Sequence, residues 1–149
     1  MGRWTVVGLV LYAVVAGVLL TGCGGPDVVF VADGAGYTFE QVEALHTSQR
    51  PPSSMAGEPV DTASDLRRDA LVELRAQGGE AAELADFVTS ALADTGRSVL
   101  YYGEAADVEG SPAWVLLEAW GAQGGTLDST RLWVFDRESG AVIYSSTSR

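Results

Sequence analysis

One imidazole, one thiol and 20 carboxylates are the chemistry-bearing groups of this chain. A hydroxyl–histidine–carboxylate triad would have to use His46. That residue sits beside a Pro- and Ser-rich stretch and reads as a solvated or locally hydrogen-bonded imidazole. A single His and a single Cys exclude a two-His or multi-Cys metal site. They also exclude an internal disulfide. Among the acids, Glu104, Asp107 and Glu109 cluster near a hairpin turn and could offer oxygen ligands to a divalent cation. The spacing of a calcium-binding loop is absent, and a solvated acidic turn is the simpler account. Glu104 and Glu118 could form a glycosidase pair, with no motif in support. The Gly-Gly pairs at 24, 78 and 124 do not fit a phosphate-binding fingerprint. The chain therefore reads as non-enzymatic, with neither cofactor nor metal expected.

The aromatic residues are more informative. In Trp114–Trp120 (WVLLEAW) the even positions are Trp, Leu, Glu and Trp, and the odd positions are Val, Leu and Ala. Successive side chains of a strand point to opposite faces, so both faces here are largely apolar. Leu132 and Val134 alternate with Trp133 and Phe135 in the same way. Helices can cover one face. The other must be covered by residues 27–50, by a partner, or be left as an exposed patch. Trp combines a large area with a polar handle and is favoured at binding sites. Trp114, Trp120, Trp133 and Phe135 are therefore the candidate binding surface, for an envelope protein or a small apolar ligand.

The elements that would position them follow from local pattern. Thr38 and Gln41 form a capping box for a short helix, FEQVEALH, after a short strand at Val28–Val31. Residues 47–60, with three Pro, three Ser and no periodicity, read as a flexible linker. Thr62 and Asp65 have capping-box spacing. Leu66, Ala70, Leu71 and Leu74 make the apolar stripe of an amphipathic helix, which Gly78-Gly79 ends. Leu84, Phe87, Val88, Ala91 and Leu92 make a second stripe, with Gly96 placed as a C-cap. Strands are expected at 99–102, 114–120, 131–136 and 141–145, joined by short turns. The expected fold class is α+β: two helices packed on a four-stranded antiparallel meander over residues 61–149. A signal peptide (1–22) and a tether and linker (23–60), the latter holding a short strand and helix, come before it.

Length and charge bound the class further. A chain of 149 residues allows one domain with short appendages. Its formal net charge of -11 excludes a nucleic-acid partner, which needs a basic footprint. All 9 basic residues are Arg. With 47% hydrophobic and 19% charged residues the chain is not wholly disordered.

The amino terminus carries an address. Arg3 precedes the apolar run Thr5–Leu20, and Leu20-Thr21-Gly22-Cys23 follows. A positive start, a short apolar run and small residues before a cut make a secretory signal peptide. Leu20-Thr21-Gly22-Cys23 resembles the bacterial lipobox. That resemblance implies diacylglyceryl transfer to the Cys23 thiol and cleavage before Cys23. Two or three acyl chains, palmitate for example, anchor stably. The alternative is an uncleaved span, at the short edge of the roughly 20 residues needed. In both cases Arg3 orients the remainder outward, and the chain is expected at the cell membrane, lipid-anchored and outward-facing.

The segment Leu132–Val142 contains Asp136-Arg137-Glu138-Ser139-Gly140 and is similar to the D-x-x-[ST]-G hairpin that closes PepSY domains. Those domains place a helix before a small antiparallel sheet and are linked to peptidase inhibition. The resemblance covers one hairpin. It implies an alternative function as modulator of an extracytoplasmic peptidase, beside that of a hydrolase using acidic residues.

Overall fold

The computed structural model describes residues 28–149. The signal peptide, Cys23 and the Gly24-Gly25-Pro26 tether lie outside the described residues. In chain order the elements are β1 (Val29–Val31), β2 (Gly36–Tyr37), α1 (Phe39–Glu43), α2 (Leu45–Ser48), a 3₁₀ turn (Val60–Thr62), α3 (Ala63–Gln77), α4 (Gly79–Ala91), β3 (Ser98–Val108), β4 (Ser111–Trp120), β5 (Ser129–Asp136) and β6 (Val142–Ser148).

The runs of β-branched and aromatic residues after Arg97 form the antiparallel order β3-β4-β5-β6. Their turns are set by local chemistry. Glu109 and Gly110 have φ of 51° and 83°, the left-handed pair that a two-residue hairpin turn requires. At the other hairpin, Asp136 Oδ1 accepts from the Ser139 amide (2.7 Å), the Ser139 hydroxyl (2.9 Å) and the Glu138 amide (3.0 Å). Gly140 then turns back with φ 72°.

The sheet is larger than a four-stranded meander, and it is mixed. β1 pairs in parallel with β3 (Val29 opposite Tyr102, Val31 opposite Glu104), and β2 pairs in parallel further along the same edge (Gly36 opposite Asp107). The result is a six-stranded mixed sheet. The strand expected at 99–102 extends to Val108, because β1 and β2 give its outer edge hydrogen-bond partners.

Both faces of the central strands are covered from within the chain, while the edge strands β1 and β6 leave Val29, Val142 and Ile143 exposed. The register places Gly103, Leu116 and Trp133 on one face, and Glu104, Val115, Val134 and Tyr144 on the other. α3 and α4 pack on the first. A Cβ at Gly103 would collide with Leu84 of α4, so glycine sets how closely that helix can approach. On the second face lie α1, α2 and the stretch that follows them. The arrangement is three layers where two were expected.

Residues 49–60 are therefore not a linker. Met55 is 0% exposed and Val60 is buried. The segment pairs with the β4–β5 loop through Gly57 N–H to Leu127 O (3.0 Å), Leu127 N–H to Glu58 O (2.8 Å) and Val60 N–H to Gly125 O (3.0 Å). Its prolines interrupt periodicity without preventing burial, and among the described residues 28–60 pack into the fold together with 61–149.

Both long helices stand where their stripes place them, with corrections at the ends. Thr38 makes the full capping box with Gln41. Thr62 makes no side-chain cap; its hydroxyl donates to Pro59 O at 2.7 Å within the 3₁₀ turn. α4 ends at Ala91 with Leu92 as its C-cap, and Gly96 turns the chain four residues after the cap. Arg67, on the apolar side of α3, is buried.

Candidate functional site

The even positions of β4 and the odd positions of β5 bring Trp114, Trp120, Trp133 and Phe135 onto one face, the face of α3 and α4. They do not form one exposed patch. Trp114 and Phe135 are 5% and 2% exposed. Phe87 of α4 meets Phe135 edge-on, with centroids 5.0 Å apart. Arg137 lies 4.0 Å above Trp114, held there by Glu80 at 2.9 Å. These two aromatics belong to the core.

Trp120 and Trp133 are half-buried, beyond the cover of α4. Between them stands Arg131, its guanidinium carbon 4.6 Å from the Trp120 ring and 5.7 Å from the Trp133 ring. A cation over an indole face gains about 0.5–1 kcal/mol where solvent reaches it. Ser145 and Thr147 of β6 continue this surface and are exposed. The strip Trp120–Arg131–Trp133 is what the structure leaves accessible of the expected aromatic surface.

A buried carboxylate holds Trp133 of the strip in place. Glu118 is 3% exposed. It accepts from Trp133 Nε1 (2.9 Å) and from the Ser98 hydroxyl (3.1 Å). Arg67 Nη1 stands 3.7 Å from Glu118 Oε1, while Arg67 Nη2 donates to Leu92 O at the end of α4. One arginine thus ties helix, helix and sheet together. Breaking a buried pair from one side costs about 3–5 kcal/mol, because the other charge is left uncompensated. Sequence reasoning missed Arg67. The available signal was an arginine at position i+4 from Ala63 and i−4 from Leu71, inside the apolar stripe.

The acidic candidates are dispersed. Glu104 is fully buried and accepts from Tyr37 (2.9 Å) and Tyr102 (2.6 Å). Burial, then the bond to Glu104, pushes the Tyr37 hydroxyl up to about 12. Glu104 lies opposite Val115 and so on the far face from Glu118; the two carboxylates share no cleft. Glu109 accepts from the Phe39 amide at 2.8 Å, and Asp107 is paired within the sheet to β2. Among the described residues no group of three or more His, Cys, Asp or Glu is placed to hold a metal ion.

His46 is neither solvated nor local. Its Nδ1 lies 2.9 Å from Thr130 Oγ1 and its Nε2 2.8 Å from Ser146 Oγ. Ser146 and Tyr144 both donate to Glu43 Oε2, at 2.6 and 2.8 Å. Ser146 therefore has no proton left for His46, so Nε2 carries the hydrogen and Nδ1 accepts from Thr130. Desolvation pulls the His46 pKa down, opposed in part by Glu43. Burial alone would raise the Glu43 carboxyl, but the Ser146 and Tyr144 bonds bring it below its usual value. The directed chain from Thr130 through His46 and Ser146 to Glu43 clasps α1 and α2 onto β5 and β6.

The arginines separate into two sets. Arg67, Arg68, Arg75 and Arg137 each have a carboxylate within salt-bridge reach. Among the described residues, Arg50, Arg97, Arg131 and Arg149 have none. These four lie at one end of the sheet. Arg50 and Arg149 border a cavity of about 310 Å³ beside His46 and Thr130. Arg97 and Arg131 border one of about 190 Å³ beside Trp120. The opposite end carries Asp33, Asp107, Glu109 and Glu138. No helix of the described residues is long and apolar enough to cross a membrane. Compared with protein-family models, with curated proteins and with solved structures, the chain matches none.

Proposed function

We propose that this chain is a lipoprotein anchored through Cys23 to the outer face of the cell membrane, whose domain acts by binding an envelope protein or small ligand and not by catalysis. The address comes from Leu20-Thr21-Gly22-Cys23 after an apolar run. The observation that carries the binding reading is the strip Trp120–Arg131–Trp133. Two half-exposed indoles flank a guanidinium with no carboxylate partner, on a sheet whose central strands the chain covers on both faces. Aromatic residues and Arg dominate the energetics of binding surfaces, and here the Trp133 ring is fixed from beneath by its bond to Glu118.

A photo-crosslinking residue at Thr147, which is exposed beside the strip, tests the reading in intact cells. The expected result is a discrete adduct that disappears when Arg131→Glu is added. An equal residue at Val72, on the outer side of α3, gives no such adduct. Identical yields at both positions, or an adduct indifferent to Arg131→Glu, would reject the strip as a contact surface. The alternative reading, modulation of an extracytoplasmic peptidase, is supported by the Asp136–Gly140 hairpin alone. It predicts that the adduct partner is a peptidase.

A further inference from the structure

We propose that the pocket bordered by Thr95, Arg97, Ser98, Trp120 and Arg131 is an oxyanion site that takes the carboxylate or phosphate group of a small molecule. The inference deepens the contact surface above and rests on it for the placing of the rest of the ligand.

Every lining side chain of this pocket carries a hydrogen-bond donor, and none is a carboxylate. That is unusual in a chain with 20 acidic residues against 9 basic ones. Arg97 and Arg131 have no carboxylate in salt-bridge reach among the described residues, so two guanidinium charges border one cavity uncompensated. Trp120 adds a second, independent signal. Its indole Nε1 is buried and has no hydrogen-bond acceptor, a condition that buried polar groups rarely tolerate. The nearest interior acid does not answer these donors: Glu118 is engaged by Ser98, Trp133 and Arg67. The Ser98 hydroxyl is likewise committed to Glu118, which leaves Arg97, Arg131 and the Thr95 hydroxyl for a ligand, with the buried Trp120 N–H behind them as the reporter.

An anion meets all of these needs together. It neutralises two like charges, and charge-assisted bonds from guanidinium groups to planar or tetrahedral oxyanions are among the strong ones. The cavity, about 190 Å³, has room for such a group. A neighbouring cavity of about 520 Å³ shares Thr95 and Arg97 and continues over Gly96, Gln123 and Gly124. It has space for the body of a ligand. Its one carboxylate, Asp61, disfavours a second negative charge there, so the site suits a ligand with one anionic end and a neutral remainder.

The test uses the full-length lipoprotein, ¹⁵N-labelled, in non-ionic detergent micelles. The indole N–H signal of Trp120 is followed while sodium phosphate or sodium acetate is added, with sodium chloride at matched ionic strength as control. The expected result is a saturable shift with at least one of the two oxyanions and none with chloride. Arg131→Gln and Arg97→Gln each weaken it about tenfold, the loss of one charge-assisted bond. Arg75→Gln, whose side chain is paired with Asp86, leaves it unchanged. The indole signal of Trp114 reports whether a variant is folded. If Arg131→Gln disturbs it, Arg97→Gln decides. A shift equal in chloride, or one that survives in both arginine variants, overturns the site. No adduct at Thr147 in the parent chain, with the phosphate or acetate response intact, would reject the contact surface alone, and an adduct without that response would reject the oxyanion site alone.

Discussion

At the residue scale, the groups that sequence offered for catalysis are taken up by structural bonds. Glu104 is closed by two tyrosines, Glu118 by Ser98, Trp133 and Arg67, and His46 by two hydroxyls. The imidazole has a thermodynamic consequence. Its folded pKa is held below the ordinary 6.5, so the native state binds fewer protons than the unfolded chain as pH falls through that value. Stability is therefore complete above pH 6.5 and declines below it, toward the folded pKa. Glu43, also lowered, adds a loss at more acidic pH, below its ordinary 4.5. Urea unfolding between pH 7.5 and 5 is expected to show falling stability, and His46→Gln should flatten that slope. A His46→Gln variant with the slope of the parent would mean that the imidazole is solvated and the clasp is not formed. The residue scale also shows why the aromatic surface was only half legible. Alternation places Trp114, Trp120, Trp133 and Phe135 on one face, and the register agrees. Where α4 stops is not written in the strands, and that alone separates the two buried rings from the two half-exposed ones.

At the scale of elements, legibility followed the range of the interaction. The helices α3 and α4 were readable because their stripes are local, and the β3–β6 order was readable because Glu109-Gly110 and Asp136–Gly140 fix tight turns. β1 was readable as a strand but not as part of the sheet, and β2 was not read at all, since their parallel pairing with β3 joins residues such as Val29 and Tyr102 that are remote in the chain. Parallel strands carry no hairpin signature between them. The segment 49–60 was misread for a related reason. Its two core residues, Met55 and Val60, give no periodicity, and its backbone bonds go to the β4–β5 loop. Met55→Ala is expected to destabilise the domain by about 2–5 kcal/mol, the usual cost of emptying a fully buried Met site. Chemical denaturation measures it directly. A change within about 0.5 kcal/mol, as at ordinary surface positions, would show that this stretch does not pack.

At the scale of the whole molecule, charge is distributed along the sheet. A chain of net charge -11 gathers its four carboxylate-free arginines at one end, where Asp61 and Asp128 also line the neighbouring cavities. An acidic module near an anionic bilayer is pushed outward within about one Debye length, which suits a tethered domain that meets its ligand in solution. All of this depends on the anchor. The most direct measurement is the intact mass of the protein recovered from the membrane fraction, beside a Cys23→Ala variant. The account predicts a mass equal to residues 23–149 plus diacylglyceryl and acyl groups, lost in the variant. A full-length, unlipidated mass in both would contradict it, and would assign Thr5–Leu20 to a retained membrane segment.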